Sequence, residues 1–291
     1  MDERKLLEII AEFTNYDADQ LEPDMHFVDD LGIDSLDLAQ IILSAESEFD
    51  VELEEEVADG IETVGDAIEL LKANDFKDTV YLRPIVWFGY GSMGVSAKES
   101  PVNVALVAWE WGAYMGDEAL ENGIKVKITS WMKNPPTSMM SKAKASANYF
   151  NSQMANHEAI TCGYDEALLL DQNGFIAEGS GECFFIVRDG TLITPENDTS
   201  LESITQKTII EIARDLGYKV SRHRITRDEA YLADEAFFTG TAAEVTPITN
   251  IDGRIIGSGK MGEITSHLQH VYFAAVRAEN PKYEHHLTFV K

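Results

Sequence analysis

The sequence pattern of the chain changes abruptly near residue 75, and this change limits the chain to folds with two units of different kinds. Residues 1–74 carry 23 acidic and three basic side chains, most of the formal net charge of −28. Apolar residues in that segment recur at helical spacing, whereas from Thr79 onward apolar strands alternate with helices. Because 291 residues suffice for two ordinary domains, we predict one domain at 1–74 and another at 75–291.

The excess of acidic side chains indicates protein partners with basic surfaces, because opposite charge speeds their encounter. The same charge repels nucleic acid and anionic membranes, so we expect neither as a partner. No stretch reaches the roughly 20 apolar residues that a membrane span needs, and Met1–Lys5 leads into no signal segment, so we expect a cytoplasmic protein. Neither the cysteines, Cys162 and Cys183, nor the histidines, including His285 and His286, show metal-ligand spacing, so we predict no metal.

Apolar stripes predict a small all-α bundle in residues 1–74, with a further short helix in the acidic stretch 52–59. The stripes consist of Leu6, Leu7, Ile10 and Phe13, of Leu38, Ile41, Ile42, Ala45 and Phe49, and of Val64, Ala67, Ile68 and Leu71. From composition alone, this unit is an acidic bundle that binds some partner protein.

The sequence Asp30-Leu31-Gly32-Ile33-Asp34-Ser35-Leu36-Asp37 points to a specific family. It resembles the signature of the acyl carrier proteins, which are four-helix bundles, and residues 46–51 and 63–71 resemble that family too. The resemblance implies that Ser35 carries a covalent 4′-phosphopantetheine arm, and that a phosphopantetheinyl transferase and acyl-transferring enzymes with basic surfaces bind the unit. A serine at a helix start suits this role, because its phosphate then lies at the positive end of the helix dipole. The alternative for Ser35 is an ordinary N-cap.

Residues 75–291 have the pattern of a mixed α and β domain. Thr79–Tyr90 and Val102–Trp111 read as buried strands, and 124–128 reads as a half-exposed strand. Hairpin turns are predicted at 171–174 and 189–190. Two helices are predicted from the apolar stripes Ile209, Ile212, Ala213 and Leu216, ended by Gly217, and Ile264, Leu268, Val271 and Ala275.

Five short strings that occur in this order carry the interpretation further. They are Tyr81-Leu82-Arg83-Pro84, Trp111-Gly112-Ala113-Tyr114, Lys144-Ala145-Ser146-Ala147-Asn148-Tyr149, Glu178-Gly179-Ser180-Gly181-Glu182 and Gly240-Thr241-Ala242-Ala243-Glu244. They resemble the branched-chain aminotransferases, pyridoxal-phosphate enzymes of fold type IV, from about residue 76 onward. The resemblance implies an α/β (α+β) large domain of that fold that binds pyridoxal 5′-phosphate. It also implies amino transfer between leucine, isoleucine or valine and 2-oxoglutarate, with amino and keto acids as small-molecule partners and a homo-oligomeric enzyme.

Three residues match the catalytic centre of that family. Lys144 matches the lysine that joins the pyridoxal aldehyde and then moves a proton at the substrate α-carbon. Tyr149 matches the tyrosine beside the phenolic oxygen of the cofactor. Glu178 matches the carboxylate that pairs with the pyridine nitrogen, where an anion keeps the ring protonated. The alternatives are a solvated surface lysine, a core tyrosine and an exposed glutamate after a hairpin strand.

The remaining family matches concern phosphate and substrate. Phosphate binding is expected from Ile204 and Thr205 at a helix start and from Thr241 and Ala242 in a turn, since such amides and hydroxyls bind anions. The resemblance further implies that Tyr81 and Arg83 hold the substrate carboxylate, for which the arginine fork is suited, and that Trp111 and Ala243 line the substrate pocket. The alternatives are ordinary caps and turns, and a structural arginine before Pro84.

The chain departs from the family in several places. Family members begin with a small domain that forms one wall of the active site and supplies a phosphate-binding arginine, and here the carrier unit stands in its place. Ser146 and Ala147 replace two glycines, Cys183 replaces an asparagine, Ser203 replaces a glycine, and Gln206 replaces an arginine. Other readings therefore remain open: a carrier protein with a degenerate, non-catalytic scaffold, a site completed by a separate chain, or a truncated gene whose product folds poorly.

Overall fold

The computed structural model describes residues 79–91, 93–112 and 115–289, together with positions 11, 14, 16–21, 25 and 31. The chain divides into two compact units, Met1–Trp109 and Glu110–Lys291. The predicted helical stripes of the carrier bundle and Ser35 lie outside the described residues, whereas one turn of 3-10 helix is described at Ala18–Gln20. No helix in the described part of the chain is long and apolar enough to cross a membrane.

In the first unit, β1 (Val80–Phe88) pairs with β2 (Val102–Glu110) in a two-stranded sheet. Both strands were predicted from their apolar residues, and both are confirmed. Their predicted burial is wrong: every β1 side chain from Arg83 onward is exposed, and Val86 and Phe88 are each 65% exposed. Two strands alone cannot cover either face of their own sheet, so an apolar run is no guarantee of burial here.

The second unit is built on one nine-stranded sheet. Its strands are β3 (Ile124–Met132), β4 (Glu166–Leu170), β5 (Ile176–Gly179), β6 (Cys183–Arg188), β7 (Thr191–Thr194), β8 (Lys219–Arg222), β9 (Glu235–Gly240), β10 (Glu244–Ile251) and β11 (Arg254–Ile255). Their order is β5-β4-β3-β10-β9-β6-β7-β8, with β11 paired to β10. The pairs β3–β4, β3–β10 and β7–β8 are parallel, and the others are antiparallel.

The short connection between β5 and β6 requires this sheet to curl. Four strands lie between them in the sheet, so in a flat sheet they would be about 24 Å apart. Only residues 180–182 join them, and such a link spans at most about 14 Å. The sheet therefore bends round to bring β5 next to β6, and the backbone N–H of Gly179 donates a 2.8 Å hydrogen bond to the carbonyl of Glu182.

The curled sheet has an apolar inside and a helix-covered outside. On β6, Phe184 and Ile186 belong to the inner cluster, whereas Phe185 and Val187 pack with the helices outside. The predicted alternation on β3 is confirmed, since Ile124, Val126 and Ile128 are buried inside and Lys125 is exposed; this alternation is the period of two that a strand imposes. The remaining members of the inner cluster are Leu168, Ile176, Ile193, Ile225, Ala230, Ala233, Ala236, Phe238, Ile248, Ile251 and Ile256.

Five helices complete the described part of this unit: α1 (Asp117–Asn122), α2 (Ser146–Thr161), α3 (Ile204–Asp215), α4 (Arg227–Tyr231) and α5 (Glu263–Val276), with a 3-10 helix at Pro281–His286. Helix α2 packs on β3 and β4, and α3 packs against α5. Both predicted apolar stripes are confirmed. Gly217 follows the end of α3 with φ of +83°, a conformation that a glycine adopts without strain.

Both predicted hairpins are also confirmed. The turn at 171–174 joins β4 to β5 and ends in Gly174 with φ of +86°. Asp189 and Gly190, with φ of +48° and +68°, join β6 to β7. Two consecutive residues with positive φ match the right-handed twist of the flanking strands.

Candidate functional site

The loop before α2 places a lysine beside a tyrosine. Lys144 lies two residues before the first helical residue, and its Nζ donates a 2.8 Å hydrogen bond to the hydroxyl of Tyr149. The Asn148 side chain donates to the carbonyls of Met140 and Ala143 and so fixes the loop that carries Lys144. Tyr149 lies in the first turn of α2, so the lysine just before the helix reaches its hydroxyl.

A cavity in the second unit brings together the predicted catalytic residue, Lys144, and two predicted cofactor-binding residues, Tyr149 and Glu178. Its other lining residues are Lys133, Asn134, Ser141, Ala143, Asn148, Ser152, Ser180, Gly181 and Leu201. Glu178 reaches it from the end of β5, which the short connection to β6 holds in place. Tyr81 and Arg83 belong to the first compact unit, on β1.

Glu178 is buried and already paired with a cation. Its side chain is 9% exposed, and its Oε1 lies 2.6 Å from the Nζ of Lys133, which is itself 10% exposed. The backbone N–H of Leu201 donates to Oε2 at 3.1 Å. Burial raises the pKa of Glu178, and the Lys133 ammonium opposes that rise. Lys133 therefore favours the anionic form that a partner of the pyridine nitrogen needs, a role that the sequence analysis did not assign to it.

Two further buried carboxylates lie near Glu178. The Asn156 amide donates to Glu166 Oε1 at 3.0 Å, and the N–H of Gly181 donates to Glu182 Oε2 at 3.0 Å. Burial, together with the charges of Glu166 and Glu178, raises the pKa of Glu182 to about 8. Glu182 therefore keeps its proton at neutral pH. Its position in the sequence, after a predicted hairpin strand, gave no signal of this burial.

Replacing Glu182 by glutamine is expected to make stability less dependent on pH. The unfolded chain loses this proton near the ordinary pKa of 4.5, whereas the folded chain keeps it up to about 8. Between these values the folded state binds one proton more at Glu182 than the unfolded state does. The contribution of Glu182 to the free energy of unfolding of wild type should therefore fall as pH rises, by at most about 5 kcal/mol. Glutamine has no proton to lose. The free energy of unfolding of Glu182→Gln, measured with urea, should therefore rise relative to that of wild type from pH 5 to pH 8.

The exposed residue Glu279 offers the matched control for this test, because Glu279→Gln changes the same chemical group on the surface. It should leave the pH slope of wild type unaltered. Equal pH slopes for Glu182→Gln and wild type would contradict the assignment of a protonated Glu182.

The predicted phosphate-binding residues lie on two segments, and none of them is among the lining residues of the cavity. Thr205 is buried in the first turn of α3, whereas Ile204 is 80% exposed. Thr241 and Ala242 lie in the turn between β9 and β10, where the carbonyl of Gly181 approaches Gly240 closely. Helix α3 has 12 residues, and its free first-turn amides face outward from its start, as an anion site requires.

Three residues that depart from the family pattern, Ser203, Gln206 and Cys183, lie close together at the start of α3. Ser203 is the N-cap, and its hydroxyl accepts a 3.2 Å hydrogen bond from the N–H of Gln206. A hydrogen bond to Ser203 favours the thiolate of Cys183, but burial dominates and raises the pKa of this thiol to about 12. Ser203 has φ of −84°, so no strain follows from replacing a glycine there.

Gln206 stabilises the same region from inside. Its amide donates to the hydroxyl of Thr194 at 2.9 Å, and its oxygen accepts from Asn197 and from Arg222 at 3.0 Å. Thr239 faces Cys183 across the β6–β9 pair, and its buried hydroxyl has no hydrogen-bond partner within the described residues. A buried donor without a partner beside a helix start fits a region that receives an anion.

The predicted substrate residues occupy both units. In the first unit, the guanidinium of Arg83 lies 5.1 Å from the ring centre of Tyr81 and 5.3 Å from that of Trp109. Two aromatic rings thus hold the arginine in one orientation. In the second unit, Trp111 is half-buried and Ala243 is 3% exposed. Trp109, the penultimate residue of β2, was not predicted.

Comparisons with known proteins identify the family of the chain. The family model for class IV amino-transferases matches residues 56–251, and that for the phosphopantetheine attachment site matches residues 4–71. A branched-chain-amino-acid aminotransferase of Pseudomonas aeruginosa is 48% identical over 214 residues, which cover 74% of this chain and 70% of the relative. The two family matches overlap at residues 56–71, so the predicted boundary at 74/75 stays a prediction.

Solved structures show the same fold. The branched-chain aminotransferase of Thermoproteus uzoniensis with norvaline has a TM-score of 0.74 and 40% identity, covering 78% of this chain and 74% of that one. A branched-chain amino acid aminotransferase complexed with N-(5′-phosphopyridoxyl)-L-glutamate, from T.th., gives a TM-score of 0.74 and 45% identity, with the same coverage. Both the family match and the similarity to the relatives span most of the chain. The chain therefore belongs to the class IV aminotransferases, and its first 71 residues contain a phosphopantetheine attachment domain.

Proposed function

We propose that this chain is a pyridoxal-phosphate-dependent branched-chain amino acid transaminase that carries a phosphopantetheinylated carrier domain. Its reaction moves an amino group between leucine, isoleucine or valine and 2-oxoglutarate. The observation that carries this proposal is the cavity in which Lys144, Tyr149 and Glu178 meet. The relatives support it, since their names state branched-chain aminotransferase activity and one structure contains a phosphopyridoxyl glutamate.

The residues present fit pyridoxal 5′-phosphate by the chemistry of their side chains. An amine next to a phenol suits the aldehyde and the neighbouring ring oxygen, and the buried carboxylate of Glu178 suits a protonated pyridine nitrogen. The start of α3, with Thr205 and the buried hydroxyl of Thr239 nearby, suits a phosphate. Lys144, Tyr149, Glu178, Ile204, Thr205, Thr241 and Ala242 would hold the cofactor.

When bound, this cofactor supplies an aldehyde that joins amino groups and a protonated ring that draws electrons from the substrate α-carbon. The Nζ of Lys144 would take up and deliver the proton that is moved at the substrate α-carbon. Tyr149 positions the lysine through their 2.8 Å hydrogen bond. Glu178 would pair with the ring nitrogen, and Lys133 favours the negative charge of that carboxylate.

The predicted substrate residues have distinct roles in this proposal. Arg83 would pair with the substrate carboxylate through its planar fork, with Tyr81 beside it. Trp111 and Ala243 would contact the branched side chain, because an apolar lining favours leucine, isoleucine and valine over polar amino acids. We propose a homo-oligomer as the active form.

A second candidate is a carrier protein whose second unit is a non-catalytic scaffold. It is favoured by exposed apolar side chains on the elements that form the cavity: Trp131, Met132, Met140 and Phe150 are 42–78% exposed. A site without its full cover admits water, which weakens every charge interaction inside it. The same exposure fits a site that a separate chain completes.

A visible absorbance scan of the full chain with added pyridoxal phosphate separates these candidates. The transaminase predicts a saturable band that shifts on addition of leucine and returns on addition of 2-oxoglutarate, with glutamate as product. A chain that gives no such band, alone or as an oligomer, is the scaffold. Addition of lysine, which is a charged amino acid of similar length, is the control for selectivity.

Ser35→Ala is expected to abolish loading of the carrier domain. Coenzyme A and a phosphopantetheinyl transferase should add the mass of one phosphopantetheine arm to the wild-type chain, because only an exposed hydroxyl oxygen can form the phosphodiester. Intact-mass spectrometry measures this directly. Ser44→Ala, in the same acidic segment, is the matched control and should load fully. Loading of Ser35→Ala would show that another residue is modified.

A further inference from the structure

The last described helical turn of the chain points two histidines at one glutamate of α3. The Nε2 atom of His285 lies 3.2 Å from Oε1 of Glu211, and Nε2 of His286 lies 3.1 Å from Oε2. One ligand atom from each of the three residues can be chosen so that all lie within 4.8 Å of one another. Glu211 and His286 are 75 residues apart in the chain, so the spacing of histidines in the sequence could not predict this cluster.

The segment that carries the histidines is fixed on the protein. Tyr283 is 2% exposed, and its hydroxyl donates a 3.2 Å hydrogen bond to Asp215. The Lys282 ammonium lies 2.9 Å from the same carboxylate, and Asn280 caps the start of the turn. Because the turn is already ordered, little conformational entropy remains to be lost when its side chains take up a ligand.

The distances between the ligand atoms are those expected around a small metal ion. Tetrahedral bonds of about 2.0–2.1 Å place neighbouring ligand atoms about 3.3 Å apart. The two nitrogen–oxygen distances, 3.2 and 3.1 Å, are close to this value. The two imidazole rings lie side by side, with their centres 4.0 Å apart, so both Nε2 atoms meet the same carboxylate.

We propose that Glu211, His285 and His286 bind a divalent transition-metal ion of the Zn²⁺ type. Two imidazole nitrogens and one carboxylate oxygen are ligands that such ions prefer, and the exposure of both histidines leaves the remaining position to water. The ion joins the turn at 281–286 to α3, the helix whose start is the candidate phosphate site. This site is independent of the transaminase reaction and would exist in the non-catalytic scaffold too.

The test uses the full chain without an affinity tag, freed of metal by a chelator and titrated with Zn²⁺ by calorimetry. We expect wild type to bind one equivalent more than the double variant His285→Ala/His286→Ala. Glu211→Gln keeps both rings but removes the anion, so the affinity of this site should fall by at least about tenfold. Co²⁺ in place of Zn²⁺ should give a visible absorbance spectrum of low symmetry in wild type only.

The matched control is His267→Ala/His270→Ala, which removes two exposed histidines of α5 that share no carboxylate among the described residues. It should bind as many equivalents as wild type. Thermal unfolding of the metal-free proteins shows that each variant folds, and Zn²⁺ should raise the midpoint more for wild type and the control than for the double variant. Equal stoichiometry and affinity in wild type and His285→Ala/His286→Ala would overturn the proposal, and so would no saturable binding to wild type.

Discussion

Lys144→Ala should remove the lysine-dependent absorbance band of bound pyridoxal phosphate and should lower leucine transamination by about 10²–10⁴-fold, the usual contribution of a positioned proton carrier. Among its described lining residues the cavity offers one other amine, Lys133, but that ammonium is engaged by Glu178 at 2.6 Å. Alanine leaves Tyr149 without its donor partner, yet Lys144 is exposed, so the fold should be unaffected. Stopped-flow absorbance and a glutamate-release assay measure the two effects.

The control for this prediction is Lys207→Ala, a surface lysine of α3 whose contact is an exposed ion pair with Glu202. It should keep wild-type activity and the wild-type band. Full transaminase activity in Lys144→Ala would rule out the proposed mechanism. A band that persists in Lys144→Ala but vanishes in Lys133→Met would assign the cofactor to the other lysine.

Lys133→Met should have the second largest effect, because it leaves Glu178 buried without its cation. Breaking a buried pair costs about 3–5 kcal/mol when the remaining charge stays ionised. Without the ammonium, burial is opposed by the Leu201 hydrogen bond and the Lys142 charge but no longer by Lys133, so the pKa of Glu178 should rise further and the carboxyl should take up a proton. A neutral Glu178 cannot hold the ring proton, so both cofactor affinity and turnover should fall.

The sign of the pH dependence distinguishes this effect from general damage. A carboxyl with a raised pKa in the folded state favours folding at low pH, and this contribution is lost as pH rises. Lys133→Met should therefore lose stability more steeply than wild type between pH 5 and 8 in urea unfolding. Lys133→Arg keeps a cation and should restore the slope of wild type, and Lys133→Met/Glu178→Gln should remove the extra slope. Parallel slopes in Lys133→Met and wild type would contradict the charge-pairing role.

Some parts of the fold follow from short-range rules and were therefore predictable from the sequence. Two turns need residues that tolerate a positive φ, and the sequence has an aspartate or a glycine at each of these positions: Asp189, Gly190 and Gly174. The stripe of α3 and the alternation of β3 reflect the periods of helix and strand. The exposed face of β1 was beyond these rules, since exposure depends on what else packs against the strand.

The candidate site likewise has contacts that are local in sequence and contacts that depend on the tertiary fold. Lys144 and Tyr149 lie five residues apart at one helix start, so their contact is local and the sequence predicts it. Glu178 joins them because β5 pairs with β4, on which α2 packs, and Lys133 meets Glu178 from the end of β3. The resemblance named Glu178 but neither its cation nor the protonated Glu182 behind it.

By itself, the sequence determined the two kinds of unit, their families, several helices and strands of the second unit, and the identities of the candidate catalytic lysine and of the candidate cofactor-binding tyrosine and glutamate. The tertiary structure decided how these groups behave. Burial removes water from Glu178 and Glu182 and changes their affinity for protons, and chain folding over 75 residues brings Glu211 to His286. Charge state and ligand geometry depend on neighbours that are distant in sequence, and local sequence patterns contain no information on such neighbours.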